Sequence, residues 1–229
     1  MNRMAVCVVA CAELFRGDGE ILASPMGYVP ALGARLARAT FEPDLLLSDG
    51  EATLLTGDGV AEGWLPYRAV FDVVAHGRRH VVMGANQIDR YGNQNISCIG
   101  PHATPKRQLL GVRGAPGNTV NHRTSYWVPK HSPRVLVPAV DMVAGVGYHR
   151  GGGPFHDVYR VVTNLCVLDF GGPSHAMRLL SVHPGVTVDE IVEQTGFPLV
   201  VEDPQETRVP SDDELTLLST LDPTGNWGA

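Results

Sequence analysis

Apolar positions along the chain fall into runs of two kinds, long ones with helical spacing and short ones that stop abruptly in turn residues. From Ala5 to Phe15, AVCVVACAELF is apolar almost all round and then meets RGDGE, which predicts a buried helix stopped by glycine. SPMGYVPALGARLARATFEP offers a Pro-Gly entry, a small-residue helix near 31–40, and Pro43 as terminator. DLLLSDGEA is a short apolar run closing on turn residues, the form of a buried parallel strand whose polar carboxyl end is left for a site. YRAVFDVVAHG predicts another short helix, and RRHVVMGANQID a strand that gives way to a polar loop. Further strands are predicted at RQLLGVRGA, RVLVPAVDMVAGVG and VYRVVTNLCVLDF, the last two separated by a glycine-rich turn, HRGGGPF. Helices return at TVDEIVEQTG, with Thr187 or Asp189 as N-cap, and at DDELTLLSTL, where Ser211 and Glu214 have the spacing of a capping box. This alternation predicts an α/β fold with an open, mostly parallel sheet flanked by helices. With no internal repeat and no low-complexity linker, one domain over 1–229 is expected.

Composition narrows the function classes. The 229 residues suffice for a substantial core. A formal net charge of −6, with 18% charged residues, gives no basic field for nucleic acid or an anionic membrane. No apolar stretch approaches the roughly 18 residues of a membrane span and no signal-peptide pattern opens the chain, so a cytoplasmic protein is expected. The four cysteines, Cys7, Cys11, Cys98 and Cys166, include no CxxC pair and fit a reducing compartment. Cys7 and Cys11, one helical turn apart in an apolar segment, read as buried inert thiols. His76 and His80 have i,i+4 spacing, but Gly77 breaks the helix a zinc site of that spacing needs, and no metal is expected. GVGYHRGGG resembles a nucleotide loop only superficially, because no helix follows, and reads as a hairpin tip.

In open α/β sheets ligands bind beyond the carboxyl ends of strands, which singles out three junctions. LLLSDGEA places Asp49 and Glu51 around Gly50, either two carboxylates for nucleophile or base work or an Asp-Gly turn. VVMGANQIDRYGNQN offers Asn86 and Gln87, uncharged donors and acceptors suited to a polar thioester, or a structural loop of residues that tolerate left-handed turns. LLGVRGAPGN sets the backbone amides of Gly114 and Ala115 beside Arg113, whose planar fork suits a carboxylate or phosphate, with Asn118 following. A solvated surface arginine is its bland counterpart.

GANQIDRYGNQN resembles the G-A-x-Q-[IV]-D-x-[YF]-G-N-[LV]-N segment of the beta subunits of class I coenzyme A transferases, and RQLLGVRGAPGN is similar to their G-x-G-G-A loop. Order and spacing agree from the N-terminal helix to HPGVTVDEIVEQTGF. The resemblance implies the open α/β fold of that superfamily, an alpha subunit as partner in an α2β2 assembly, and an active site facing an acyl-CoA. It also implies no cofactor, coenzyme A entering as part of the substrate. Two positions depart from the transferase pattern. Where those subunits carry a nucleophilic glutamate this chain has Gly50, flanked by Asp49 and Glu51, and the third position of the glycine loop is Arg113. Both departures, with CAELFRGDGEI, EGW and VRGAPGNTVNH, resemble the transferase-like ring-opening hydrolases of bacterial steroid degradation. That resemblance implies hydrolytic carbon–carbon cleavage in a cyclic β-keto acyl-CoA, with the acting glutamate on the alpha chain. It places Asn86, Gln87, Gly114 and Ala115 in catalysis and Arg113, Asp49, Glu51 and Asn118 at the substrate. The rival expectations are a glutaconate-type CoA transferase using Glu51 or Asp49, and a noncatalytic scaffold subunit.

Overall fold

The structure, a computed structural model, describes residues 2–150 and 152–228. It comprises two compact units, one running to Met83 and resuming at Thr207, the other spanning Gly84–Glu206.

In the first unit, α1 (Arg3–Glu13) starts on Asn2, whose side chain accepts the Met4 and Ala5 amides. Every residue from Ala5 to Ala12 is buried, which is why this helix is apolar on all faces. Burial pushes the Cys7 thiol up to about 12 and raises Cys11 as well, so neither supplies a thiolate. After β1 (Leu22–Pro25) comes α2 (Tyr28–Thr40), three residues longer at its start than the spacing predicts because Gly27, at φ 97°, turns the chain into it. Gly33 lets α2 lie against α1, since a Cβ there would stand 2.8 Å from Cys11 Cβ. Next come β2 (Leu46–Ser48), β3 (Thr53–Leu55), β4 (Ala61–Trp64), α3 (Tyr67–His76) and β5 (Arg79–Gly84). β5, β1 and β2 pair in parallel, and β2, β3 and β4 continue as an antiparallel meander. His80 lies in β5 with its Nδ1 2.6 Å from Asp18 Oδ2, while His76 ends α3, so the two histidines form no ligand pair.

The second unit opens with two small hairpins, β6 (Gln87–Ile88) with β7 (Gln94–Asn95) and β8 (Cys98–Ile99) with β9 (Arg107–Gln108). Then follow α4 (Ala115–Asn121), β10 (Arg123–Val128), β11 (Asp157–Thr163), β12 (Cys166–Asp169), β13 (Arg178–Val182), α5 (Val188–Glu193) and β14 (Val200–Glu206). β10 and β11 are parallel, β11, β12 and β13 antiparallel, and β13 and β14 parallel. Thr187 rather than Asp189 caps α5. The chain returns to the first unit with α6 (Asp212–Leu221), whose Ser211–Glu214 capping box is formed.

Three strand expectations fail. RQLLGVRGA contributes only the two residues of β9 before its glycines turn the chain. RVLVPAVDMVAGVG forms single bridges, Leu136 with Ile88 and Gly145 with Gln94, because the Val135 and Leu136 amides turn back onto the Ser132 carbonyl instead of extending a ladder. VYRVVTNLCVLDF splits into β11 and β12 where the Thr163 hydroxyl takes the Leu165 and Cys166 amides and forces a turn. GVGYHRGGG leads through a short 3-10 turn, Tyr148–Arg150, toward β11 instead of forming a hairpin tip, and its Gly151 lies outside the described residues. No helix among the described residues is long and apolar enough to cross a membrane, and no cluster of three or more metal-ligating side chains occurs among them.

Candidate active site

At the carboxyl end of β2 the chain makes a tight turn. Asp49 Oδ1 accepts the backbone amides of Glu51, Ala52 and Thr53 at 2.8, 2.9 and 3.0 Å, and the Asp49 amide donates to the Thr53 carbonyl. Partial burial works to raise this carboxyl, but the amide bonds outweigh it and hold the group below its ordinary value. Ser48 Oγ donates to the Ala23 carbonyl at 2.8 Å and accepts the Gly50 amide at 3.2 Å. Gly50 is buried at φ 87°, and a Cβ added there would collide with the Pro25 carbonyl and meet Met26 Cγ at 3.1 Å. At this position the backbone leaves no room for a side chain. Of the two carboxylates beside it, Asp49 has one oxygen committed to the turn and Glu51 is exposed.

The amide-rich loop after β5 is mostly an internal brace. Gln87 is buried: its Oε1 accepts Asn95 Nδ2 at 2.7 Å and the Asp141 amide at 2.9 Å, and its Nε2 donates to Asp141 Oδ2 at 3.0 Å. Asn95 also donates to the Cys98 carbonyl and accepts the Ser97 and Cys98 amides. Asn93 donates to Asp89 Oδ2 and accepts the Gly147 amide, fixing the turn through Gly92. Asp141 completes the brace by also accepting the Gly100 amide, which ties the loop to the β8–β9 hairpin that leads on to Gly111. Sequence reasoning missed Asp141, since nothing in PAVDMVAG marks it. Of the two amides expected in catalysis, Asn86 is exposed with its backbone tied to Asn95, whereas Gln87 has a single N–H left to offer.

The glycine–arginine loop has the opposite character. Gly111 and Arg113 both have positive φ, 81° and 48°, and Arg113 is exposed. An arginine held left-handed is strained by about 1 kcal/mol, the kind of cost that collects at functional positions. Gly114 stands at the start of α4 with no side-chain cap. The Ala115 amide donates to the Val112 carbonyl at 3.1 Å, so of the two expected backbone donors Ala115 is already spent inside the turn and Gly114 remains. Asn118, expected at the substrate, is buried under the loop, its Nδ2 within 3.5 Å of where a Gly114 Cβ would sit. It supports Gly114 from below.

Asn86, Gln87, Arg113, Gly114, Ala115 and Asn118 thus belong to the second unit, and Asp49 and Glu51 to the first. His131, another buried titratable group, is a core residue: its ring nitrogens meet the Thr163 and Thr195 hydroxyls at 3.1 and 3.0 Å, and burial lowers it to about 4, leaving it neutral.

The Coenzyme A transferase family model matches residues 71–194, more than half of the chain. The chain is 55% identical to the "Cholesterol ring-cleaving hydrolase IpdB subunit" of Rhodococcus jostii (strain RHA1), over 97% of this chain and 93% of that one. It is 31% identical to one subunit of the 3-oxoadipate CoA-transferase of Pseudomonas knackmussii, over 85% of this chain and 84% of that one. The crystal structure of Rhodococcus jostii RHA1 IpdAB superposes with a TM-score of 0.93 and 54% identity, covering 100% of this chain and 97% of that chain. With an α/β core of helix-flanked parallel strands, and with relatives matched along nearly its whole length, this chain belongs to the coenzyme A transferase family.

Proposed function

We propose that this chain is the beta subunit of a heteromeric acyl-CoA hydrolase that opens a 6-oxocyclohex-1-ene-1-carboxyl-CoA ring, a cyclic β-keto acyl-CoA, during cholesterol degradation. The observation that carries this reading is the 55% identity, over nearly all of both chains, to a subunit named as a cholesterol ring-cleaving hydrolase. The occluded Gly50 position supports it from the side of mechanism. A CoA transferase needs a carboxylate where this backbone has no room for one, and misplacing such a nucleophile by about 1 Å costs about a hundredfold.

In this reading the whole chain acts as one beta-subunit domain in the cytoplasm, in an α2β2 assembly, without a cofactor of its own. One water first adds across the conjugated ring alkene, which saturates the carbon alpha to the thioester; the alpha chain's glutamate then takes a proton from a second water, and the hydroxide adds to the ring ketone carbon. The adjacent ring bond breaks with its electron pair moving onto the carbon alpha to the thioester, giving an enolate that is then protonated, while the ketone carbon leaves as a carboxylate. Coenzyme A stays attached. The beta chain's share is to hold charge and position. The Gly114 amide and the Asn86 side chain are the donors offered to the enolate, each worth about 3 kcal/mol in a preorganised site. Arg113 clamps a substrate carboxylate in two-point geometry.

The test is the mass of the product formed from a cyclic β-keto acyl-CoA by this chain purified with its alpha subunit, with and without an added carboxylic acid acceptor. Ring-opened product that keeps its coenzyme A, formed without acceptor and without free thiol, is expected. Acceptor-dependent exchange of coenzyme A would reinstate a transferase, and full activity after alanine replacement of Asn86, Gln87 and Arg113 together would leave the chain a scaffold.

A further inference from the structure

Arg113 is held left-handed, and such strain persists only where the surrounding structure fixes the backbone from both sides. On one side the loop from Gly111 to Gly114 leaves β9, which pairs with β8, and the Leu109 amide just beyond β9 donates to the Ser97 carbonyl at 2.9 Å. On the other side it enters α4. There Thr119 Oγ1 accepts the Val146 amide at 3.0 Å, and a Cβ at Gly145 would stand 2.8 Å from Thr119 Cγ2.

Asp141 joins these holds. Its Oδ2 accepts two donors from different segments, Gln87 Nε2 and the Gly100 amide, each at 3.0 Å. Gly100 directly follows β8, so the carboxylate pins the hairpin from which the loop departs. A second route reaches the same hairpin: Gln87 Oε1 accepts Asn95 Nδ2, and Asn95 Oδ1 accepts the Ser97 and Cys98 amides. Residues 141–146 thus hold the loop at both ends. Asp141 is exposed, and among the described residues no cation pairs with it. Its charge is spent on the two N–H groups, which bond more strongly to a carboxylate than to a neutral oxygen. The same contacts orient Gln87. With Oε1 taking Asn95 Nδ2 and the Asp141 amide, and one Nε2 proton on Asp141, the remaining N–H of this planar group is fixed in direction.

We propose that Asp141 is a positioning residue of the ring-opening reaction: one carboxylate sets both the Gln87 amide and the left-handed Arg113 turn. The inference rests on the ring-cleaving reading for its substrate and on this chain's own hydrogen bonds for the coupling. Wild type, Asp141→Ala, Asp141→Glu and Asp141→Asn are each purified with the alpha subunit and compared by steady-state kinetics on a cyclic β-keto acyl-CoA and by crystal structures. Misplacement by about 1 Å costs about a hundredfold, so Asp141→Ala and Asp141→Glu, which remove or shift the shared oxygen, are expected to lower kcat by about tenfold or more. Asp141→Asn keeps an oxygen for both donors and is expected to stay within about threefold of wild type. In the Asp141→Ala crystal structure residues 111–114 are expected to move and Arg113 to leave its left-handed conformation. Normal kcat in Asp141→Ala, a loss confined to KM, an equal loss in Asp141→Asn, or residues 111–114 superposing on wild type overturns the role. Absence of ring opening by wild type would instead sink the ring-cleaving reading, and the position of residues 111–114 would still decide the coupling. Should Asp141→Ala fail to assemble, Asp141→Glu carries the same comparisons.

Discussion

The loop from Gln87 to Asn95 and the loop from Gly111 to Gly114 both follow an apolar run, and both offer polar groups to a ligand, yet the structure uses them in opposite ways. In the first, nearly every side-chain amide is buried and turned on a neighbour, so the loop's polarity is consumed in holding its own shape. The second buries Asn118 beneath it and presents Arg113 outward from a left-handed backbone. A cluster of hydrogen-bonding residues is therefore poor evidence of a binding site on its own. What distinguishes the two is where the exposed groups and the strain lie.

The contrast breaks most visibly at Asn95. Removing a buried side chain that makes four hydrogen bonds leaves several groups unpaired. Asn95→Ala is expected to cost about 3 kcal/mol in denaturant unfolding. A loss below about 1 kcal/mol would mean that the brace is dispensable. Next in size, Arg113→Lys keeps the charge but loses the two-point geometry. It is expected to lower kcat/KM of the assembled enzyme about tenfold, or about 1.4 kcal/mol, with an unchanged thermal midpoint. Normal turnover would remove the clamp.

The turn at Asp49 is a third junction, and acid sorts it. Its folded carboxyl lies below the ordinary value of about 3.8, so its contribution to stability is present above that pH and is lost as pH falls toward the lower folded value. Asp49→Asn keeps an acceptor oxygen without a titrating proton. The variant should show a flatter stability profile, lying below wild type at neutral pH and converging with it in the acid window, measured by thermal melts across the acid range. An unchanged acid profile would mean that the three amide bonds do not act through charge. The smallest effect should come from Arg113→Gly, which relieves the left-handed strain. Stability is expected to rise by up to about 1 kcal/mol even as activity falls, and a loss of stability would show that the loop is not strained.

Much of the framework was readable from local pattern. The all-apolar α1, the Gly27 entry to α2 and the capping box of α6 depend on contacts within a few residues, and the sequence states those directly. What was not readable depended on distant partners. RVLVPAVDMVAGVG has the composition of a strand, but its groups pair with the β6–β7 hairpin some fifty residues away, through single bridges rather than a ladder. RTSYWV mixes polar and aromatic positions, and its burial on both faces as β10 comes from neighbours that no spacing reveals. The seven-residue α4 was hidden by Pro116 and Gly117, residues that punctuate a helix rather than announce one. At the site, the positions of interest were visible and their roles were not. That Gln87 supports while Asn86 faces out turns on Asp141, 54 residues later.

Gly50 also has a consequence for ancestry. A buried left-handed glycine pressed against the Pro25 carbonyl admits no side chain by single substitution, because any Cβ must first move the neighbouring strand end. At this position the mutational road is therefore closed to one-step travel: a side chain there would demand a coordinated change at Pro25.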